Sequence, residues 1–265
     1  MTLSICATCG TQYPDSPVHC PVCEDERQYV GANGQTWTTH ETLKATCTLR
    51  LADDDGLLGI GVSPAFAINQ RALYVPTDAG NILWETLSLV TDDAVAALKV
   101  RGGVDLIAIS HPHFYASMLE WSEALGNVPI LLHEADRAWV RRPSSAIHFW
   151  RGDHHGLSDA VTLIRSGGHF PGSTVLHWKN GPRPGGALLV GDAPQVAANR
   201  RRVSFMHSYP NFMPLPTSEV RAMQARLAGY AFEDVYGYTW GRNIIGGGRA
   251  AVDASFEHYL ASVTA

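Results

Sequence analysis

No apolar run in the 265-residue chain is long enough to span a bilayer, and the N-terminus has neither a basic nor an apolar leader segment. Both absences predict a cytoplasmic protein with no membrane partner. Basic residues are in short supply: 20 Lys and Arg against 25 Asp and Glu leave a net charge of −5. That balance argues against a general affinity for nucleic acid or anionic lipid. There is no internal repeat and no low-complexity tract. Gly246-Gly247-Gly248 lacks the strand and the Lys-Ser/Thr pair of a phosphate loop and reads as a turn. What remains is an ordinary globular composition, 45% hydrophobic and 17% charged. It suffices for one large domain and a small appendage. Twelve histidines give a good supply of metal ligands and proton carriers.

Cysteine is rare, yet four of the five fall in one pattern. Cys6-x2-Cys9 and Cys20-x2-Cys23 are separated by ten residues. Each C-x2-C is a knuckle that can offer two thiolates to one tetrahedral ion. Gly10 permits the turn after the first knuckle, and Pro21 stiffens the second. The segment has too little apolar material to fold unaided. Residues 1–32 are therefore predicted to be a four-cysteine zinc-ribbon-like unit around one structural zinc. Disulfides are the rival staple and are disfavoured in the cytosol. Iron in a rubredoxin-like knuckle pair is the other alternative, although the loop between the knuckles is short for that family. Cys47 is left over and reads as a small buried residue.

Residues 33–265 read as one domain. Short strands come first, predicted at 45–51, 65–68, 72–75 and 81–85, with Asp53-Asp54-Asp55-Gly56 as a hairpin tip. Strands and helices then alternate. Thr91 caps a helix with Asp92 and Asp93 in its first turn. The apolar run Val104 to Ile109 is a buried strand that Pro112 stops, leaving His111 and His113 at its C-terminal end. Alternate residues of an extended chain point the same way, so the two imidazoles can converge on one ion. A helix follows from Phe114 to Leu125, then a strand at 128–133 and a short helix at 135–141. Later strands at 160–164, 174–178 and 187–192 surround the loop Gly167-Gly168-His169-Phe170-Pro171-Gly172-Ser173 and end on Asp192. Thr217 caps a helix, and Val252, Phe256, Leu260 and Val263 mark a last one.

Three strand ends thus carry Ser110-His111-Pro112-His113, Gly168-His169-Phe170-Pro171-Gly172-Ser173 and Gly191-Asp192. Their order and context resemble the metallo-β-lactamase superfamily over roughly residues 40 to 245. The resemblance implies an α+β fold, an αββα four-layer sandwich with metal at one edge of the sheets. It implies that His111, His113 and His169 are the ligands of the first metal and that Asp192 is the bridging carboxylate. The residues that serve the second metal alone are missing: Tyr115 and Ala116 stand where the family has Asp and His. Val235 to Trp240 stand where it has its last His. One zinc or iron at His111, His113, His169 and Asp192 is therefore expected.

With one metal, the site is expected to activate water against a small ester, thioester or amide. Asp192 is either a fourth ligand or the base for bound water. Tyr115 is placed to polarise a carbonyl or protonate a leaving group, against the plain reading that it starts a helix. His207 is a candidate replacement for the lost ligand or a proton shuttle. The alternative reactions are a mono-iron oxidation, similar to the persulfide-oxidising branch of the same superfamily, and no reaction at all, the sandwich being a metal-stabilised binding module. The expected partner is a small-molecule substrate. Glu24, Asp25 and Glu26 argue against nucleic acid at the four-cysteine unit. A lid edge or a homodimer contact is what that unit is expected to provide.

Overall fold

Strand residues alternate between two apolar environments, and that alternation builds the layers. In a computed structural model that describes residues 3–264, Leu73 and Val75 face one core while Ala72 and Tyr74 face another. Ile82 and Trp84 likewise oppose Leu83. A strand apolar on both faces must be covered on both, so each sheet lies between the other sheet and a helical layer.

The first sheet has seven strands, in spatial order Ile147–Trp150, Ile130–His133, Leu106–Ala108, Gly80–Trp84, Ala72–Thr77, Leu57–Ser63 and Thr48–Asp54. Its sequentially early half is antiparallel, and from Gly80–Trp84 onward the pairs are parallel. The second sheet has six strands, in order His154–Gly156, Val161–Arg165, Thr174–Trp178, Ala187–Leu189, Asp234–Tyr236 and Asn243–Ile245. Leu73, Val75, Trp84, Leu163, Leu176 and Leu189 fill the space between the sheets. Helices Asp92–Val100 and Met118–Ala124 cover the outside of the first sheet. Thr217–Leu227 and Gly248–Thr264 cover the second. The αββα sandwich expected from the sequence is what the chain forms.

Several local expectations change. Residues 65–68 are a turn rather than a strand, because Pro64 precedes them and Ala67 and Asn69 take positive φ. Residues 40–46 form a helix, His40–Thr46, capped by Thr39, so the next strand begins only at Thr48. The expected helix from Phe114 is a 3₁₀ turn, Pro112–Phe114, followed by a shorter helix. Pro216 takes the N-cap position that was expected for Thr217, which is the first helical residue. Cys47 is only half-buried.

The four-cysteine unit reaches past the boundary expected at residue 32. Its three-stranded sheet pairs Ser4–Cys6 with Gln12–Tyr13 on one side and with Trp37–Thr38 on the other. Ring contact between Tyr13 and Trp37, centroids 5.2 Å apart, packs that third strand onto the unit. The unit is seated on the sandwich: Ser88 Oγ donates to the Gly10 carbonyl at 2.8 Å, and Arg142 contacts Gln12.

Candidate metal centre

The two candidate cation sites are built differently. In the N-terminal unit the four thiols lie together and buried, with Cys6 and Cys23 sulfurs 3.6 Å apart and Cys9 and Cys20 sulfurs 3.6 Å apart. A tetrahedral ion with sulfur bonds of about 2.3 Å sets its ligands about 3.8 Å apart. Hydrogen bonds from Cys20 and Cys23 pull the Cys6 thiol down, whereas burial pushes Cys9 up. Without a cation at the centre, the four cannot all ionise in this enclosure. Tyr13 Oη, 3.0 Å from Cys20 Sγ, and Gln35 Nε2, donating to Cys6 Sγ at 3.2 Å, offer hydrogen bonds that suit thiolates.

The second cluster gathers His111, His113, His169 and Asp192, all buried, each presenting one atom within 4.8 Å of the others. His111 ends its strand in extended conformation, φ −166°, and Pro112 opens the 3₁₀ turn that carries His113. The histidines therefore do not converge by strand alternation. They meet across a turn and present different nitrogens. His111 Nε2 lies 3.3 Å from Asp192 Oδ2, His113 Nδ1 lies 3.8 Å from it, and His169 Nε2 lies 3.6 Å from it. His113 Nδ1 and His169 Nε2 are 3.2 Å apart. Ligand bonds of about 2.0–2.1 Å in a tetrahedron separate the donors by about 3.3 Å, close to this spacing.

The surroundings support a cation at that point. His111 Nε2 is buried and makes no hydrogen bond. Its Nδ1–H faces Ser110 Oγ at 2.8 Å, and His169 Nδ1–H donates to the Met206 carbonyl at 3.3 Å. The bond to a carbonyl fixes the His169 tautomer with Nε2 as a lone pair facing the cluster, and the Ser110 hydroxyl can accept from His111 Nδ1–H in the same arrangement. Burial lowers the pKa of His113 and drives that of His169 well below its ordinary value, so both stay neutral. Burial also works against the Asp192 carboxylate, but the imidazoles of His111 and His113 that face it hold it well below the usual range. Gln195 Nε2 donates to Asp192 Oδ1 at 2.7 Å and turns Oδ2 toward the histidines. Gly191 lets this strand end close on the first motif: a Cβ there would lie 2.3 Å from Ser110 Oγ and 3.0 Å from His111 Nδ1.

The cluster opens into a cleft of about 220 Å³, bordered by Tyr209, Tyr238, Gln195 and, from the N-terminal unit, Thr8, Arg27, Gln28 and Tyr29. Tyr115 is absent from this wall. Its side chain is buried in the core of the first sheet, beside a small crevice lined by Gln12 and Trp139. His207 does not reach the cluster either: its Nε2 bonds Glu26 Oε1 at 2.7 Å. His154 bonds Tyr230 and His155 stacks on Trp150, both on the far strand of the second sheet. The expected second-metal positions hold packing instead, with Tyr238 stacked on Phe114 at 5.7 Å and Trp240 lying over Arg50. Among the described residues, no third cluster of His, Cys, Asp or Glu could hold an ion.

The structure adds two buried carboxyls that the sequence did not single out. Glu85 sits at positive φ at the end of Gly80–Trp84 and accepts from the Ser110 N–H at 3.1 Å. Burial pushes its pKa up to about 8. Asp136 accepts from the Gly172 N–H at 2.7 Å, where a Cβ on residue 172 would overlap the carboxylate. Burial raises it to about 7. Both sit behind the ligand loops and fix their backbones. A charge at the end of an otherwise apolar strand was the available sign of Glu85.

No family model matches the chain. Among curated proteins it is 42% identical over 242 residues to the uncharacterised protein YmaE of Bacillus subtilis (strain 168), spanning 89% of this chain and 88% of that one. Among solved structures it is similar to the DIM-1 metallo-β-lactamase, with a TM-score of 0.58 at 13% identity over 83% of this chain and 100% of that chain. It is similar also to a B3 metallo-β-lactamase with an active-site glutamic acid, with a TM-score of 0.55 at 14% identity over 90% of this chain and 96% of that chain. The flavodiiron core of Flv1 from Synechocystis sp. PCC6803 has the same fold, with a TM-score of 0.56 at 10% identity over 81% of this chain and 61% of that chain.

Proposed function

The chain belongs to the family of the Bacillus subtilis protein YmaE and has the metallo-β-lactamase fold, and on that premise we propose that it is a single-metal hydrolase of small esters, thioesters or amides. One observation carries the reading: four buried donors spaced for one tetrahedral ion open onto a cleft of about 220 Å³. A divalent cation bound there would bring the pKa of a coordinated water from about 15.7 toward about 7. The chain's own groups do the rest. Three imidazoles hold the charge in place, and two of them, His111 and His169, are oriented by hydrogen bonds at their outer nitrogens. Asp192 acts as the fourth ligand rather than as the base, because Gln195 occupies its other oxygen. With four protein donors in place, the water would have to join as an added fifth ligand, since zinc sites can expand to five-coordinate.

Tyr238 takes the part expected of Tyr115. Burial raises its pKa to about 12, so the phenol is protonated at neutral pH, and among the described residues its hydroxyl has no protein partner. It can donate to the oxygen on which charge develops as water adds to the acyl carbon. The acyl–heteroatom bond then breaks and the leaving group takes up a proton from the water. Tyr209 Oη donates to the Asp192 carbonyl at 3.0 Å and so steadies a ligand. The four-cysteine unit carries a structural zinc in this reading. Among the described residues no helix is long and apolar enough to cross a membrane, and all five cysteines are free, which suits a reducing cytoplasm.

An iron-dependent oxidoreductase is the second reading. It is favoured by the cysteine knuckles lying against the cleft, since Thr8 of the first knuckle lines it. Protein purified without air and loaded with zinc or with iron separates the two. Hydrolysis of a panel of p-nitrophenyl esters and aryl thioesters by the zinc form, lost in His169→Ala, is the expected result. Oxygen uptake by the iron form with a persulfide, and no hydrolysis by the zinc form, would replace the first reading with the second.

A further inference from the structure

Arg27 is a cation in the cleft wall that the hydrolytic reading does not use. It comes from the four-cysteine unit and is held on several sides. Its Nε donates to the His169 carbonyl at 2.5 Å, its Nη1 donates to Asp25 Oδ1 at 2.7 Å, and its guanidinium carbon lies 4.6 Å from the centre of the Phe170 ring. The backbone on either side is tied down as well, since Asn211 Nδ2 donates to the carbonyls of Glu26 and Gln28, each at 3.0 Å. Nη2 has no protein partner among the described residues. Among the residues lining the cleft, Arg27 is the one arginine, and no lysine joins it there.

We propose that Arg27 is the specificity residue of this cleft and that it selects a substrate bearing a carboxylate near the bond to be cleaved. The proposal rests on the hydrolase reading for the reaction but not for the binding. The free Nη2 of a fixed guanidinium can donate to one carboxylate oxygen, and its restraints mean that little side-chain entropy is lost on binding. The cleft, about 220 Å³, is smaller than the roughly 300 Å³ at which ordinary ligand pockets begin. A short acyl chain ending in one carboxylate fits that size. A phosphate would call for more donors than one free guanidinium nitrogen supplies.

The test compares two esters matched except for one charge, p-nitrophenyl valerate and mono-p-nitrophenyl glutarate, with wild type, Arg27→Gln and Arg27→Lys. In wild type the glutarate ester is expected to have the lower KM. In Arg27→Gln its KM should rise about 10- to 100-fold, as for loss of one charge-assisted hydrogen bond. The valerate ester should change less than about twofold. Arg27→Lys should fall between, keeping the charge and losing the contacts that fix the guanidinium in place. A purely structural Arg27 would affect both esters alike, and that result overturns the proposal, as does a wild type with no preference for glutarate. If wild type cleaves neither ester, the hydrolase reading fails by itself, and binding then decides. Calorimetry of butyrate against butyramide, on His111→Ala protein with its cysteine site loaded, should show butyrate binding that Arg27→Gln abolishes. Equal binding of the two probes, or binding indifferent to Arg27→Gln, overturns the proposal in that case.

Discussion

At the scale of single residues, the two tyrosines separate what a sequence shows from what a fold decides. Tyr115 follows the histidine pair and looked well placed, but the 3₁₀ turn at Pro112–Phe114 sends it into the core of the first sheet. Tyr238 is about 120 positions further on and reaches the cleft because Arg71 holds its loop. The Arg71 N–H donates to the Tyr238 carbonyl at 2.9 Å, and the buried guanidinium donates to the Gly237 carbonyl at 2.9 Å and to Asn243 Oδ1 at 3.0 Å. No spacing rule in the sequence links those residues. The candidate metal donors were legible because each lies in a distinctive local motif just past a strand. Gln195 was not, since an amide three residues past Asp192 carries no signal of its own. Removing the Tyr238 hydroxyl, as Tyr238→Phe, is expected to lower kcat by about 100-fold, the lower end of the range for a lost oxyanion donor. Tyr115→Phe should leave kcat within about twofold. Steady-state kinetics on one ester checks both, and the reverse order would restore Tyr115 to the site.

At the scale of elements, the ligand loop 167–173 is set by its contact with the turn Glu134–Trp139. Asp136 in that turn accepts from Gly172, and burial holds its carboxyl at about 7 against an ordinary 3.8. A carboxyl raised on folding binds its proton more tightly in the native state. Its stabilising contribution is complete below 3.8 and is lost as the pH rises through about 7. Asp136→Asn keeps an oxygen acceptor for Gly172 and cannot titrate. Urea midpoints of the two proteins should therefore diverge as pH rises from about 5 to 8, the variant gaining relative to wild type. Parallel curves would mean that Asp136 does not titrate in this window. The alternating strands and amphipathic helices of the sandwich were readable because a buried stripe imposes a period. Residues 65–68 misled for the same reason, since four mostly apolar residues mimic a strand when a preceding proline and positive φ at Ala67 in fact make a turn.

At the scale of the whole molecule, the four-cysteine unit and the sandwich form one functional body. The sequence marked them as separate segments, which their composition supports. Their meeting depends on contacts far apart in the chain: Arg27 with His169, Glu26 with His207, and Asn211 with Gln28. Of the roles expected for the unit, the structure favours the edge of the cleft. The central claim is that each chain holds two cations, one on four cysteines and one on three histidines and an aspartate. Native mass spectrometry with elemental analysis, on protein reconstituted with excess zinc and desalted, counts them directly. The account expects two ions per wild-type chain, one after His169→Ala and one after Cys9→Ser. Three ions in wild type, or two remaining in His169→Ala, would contradict it.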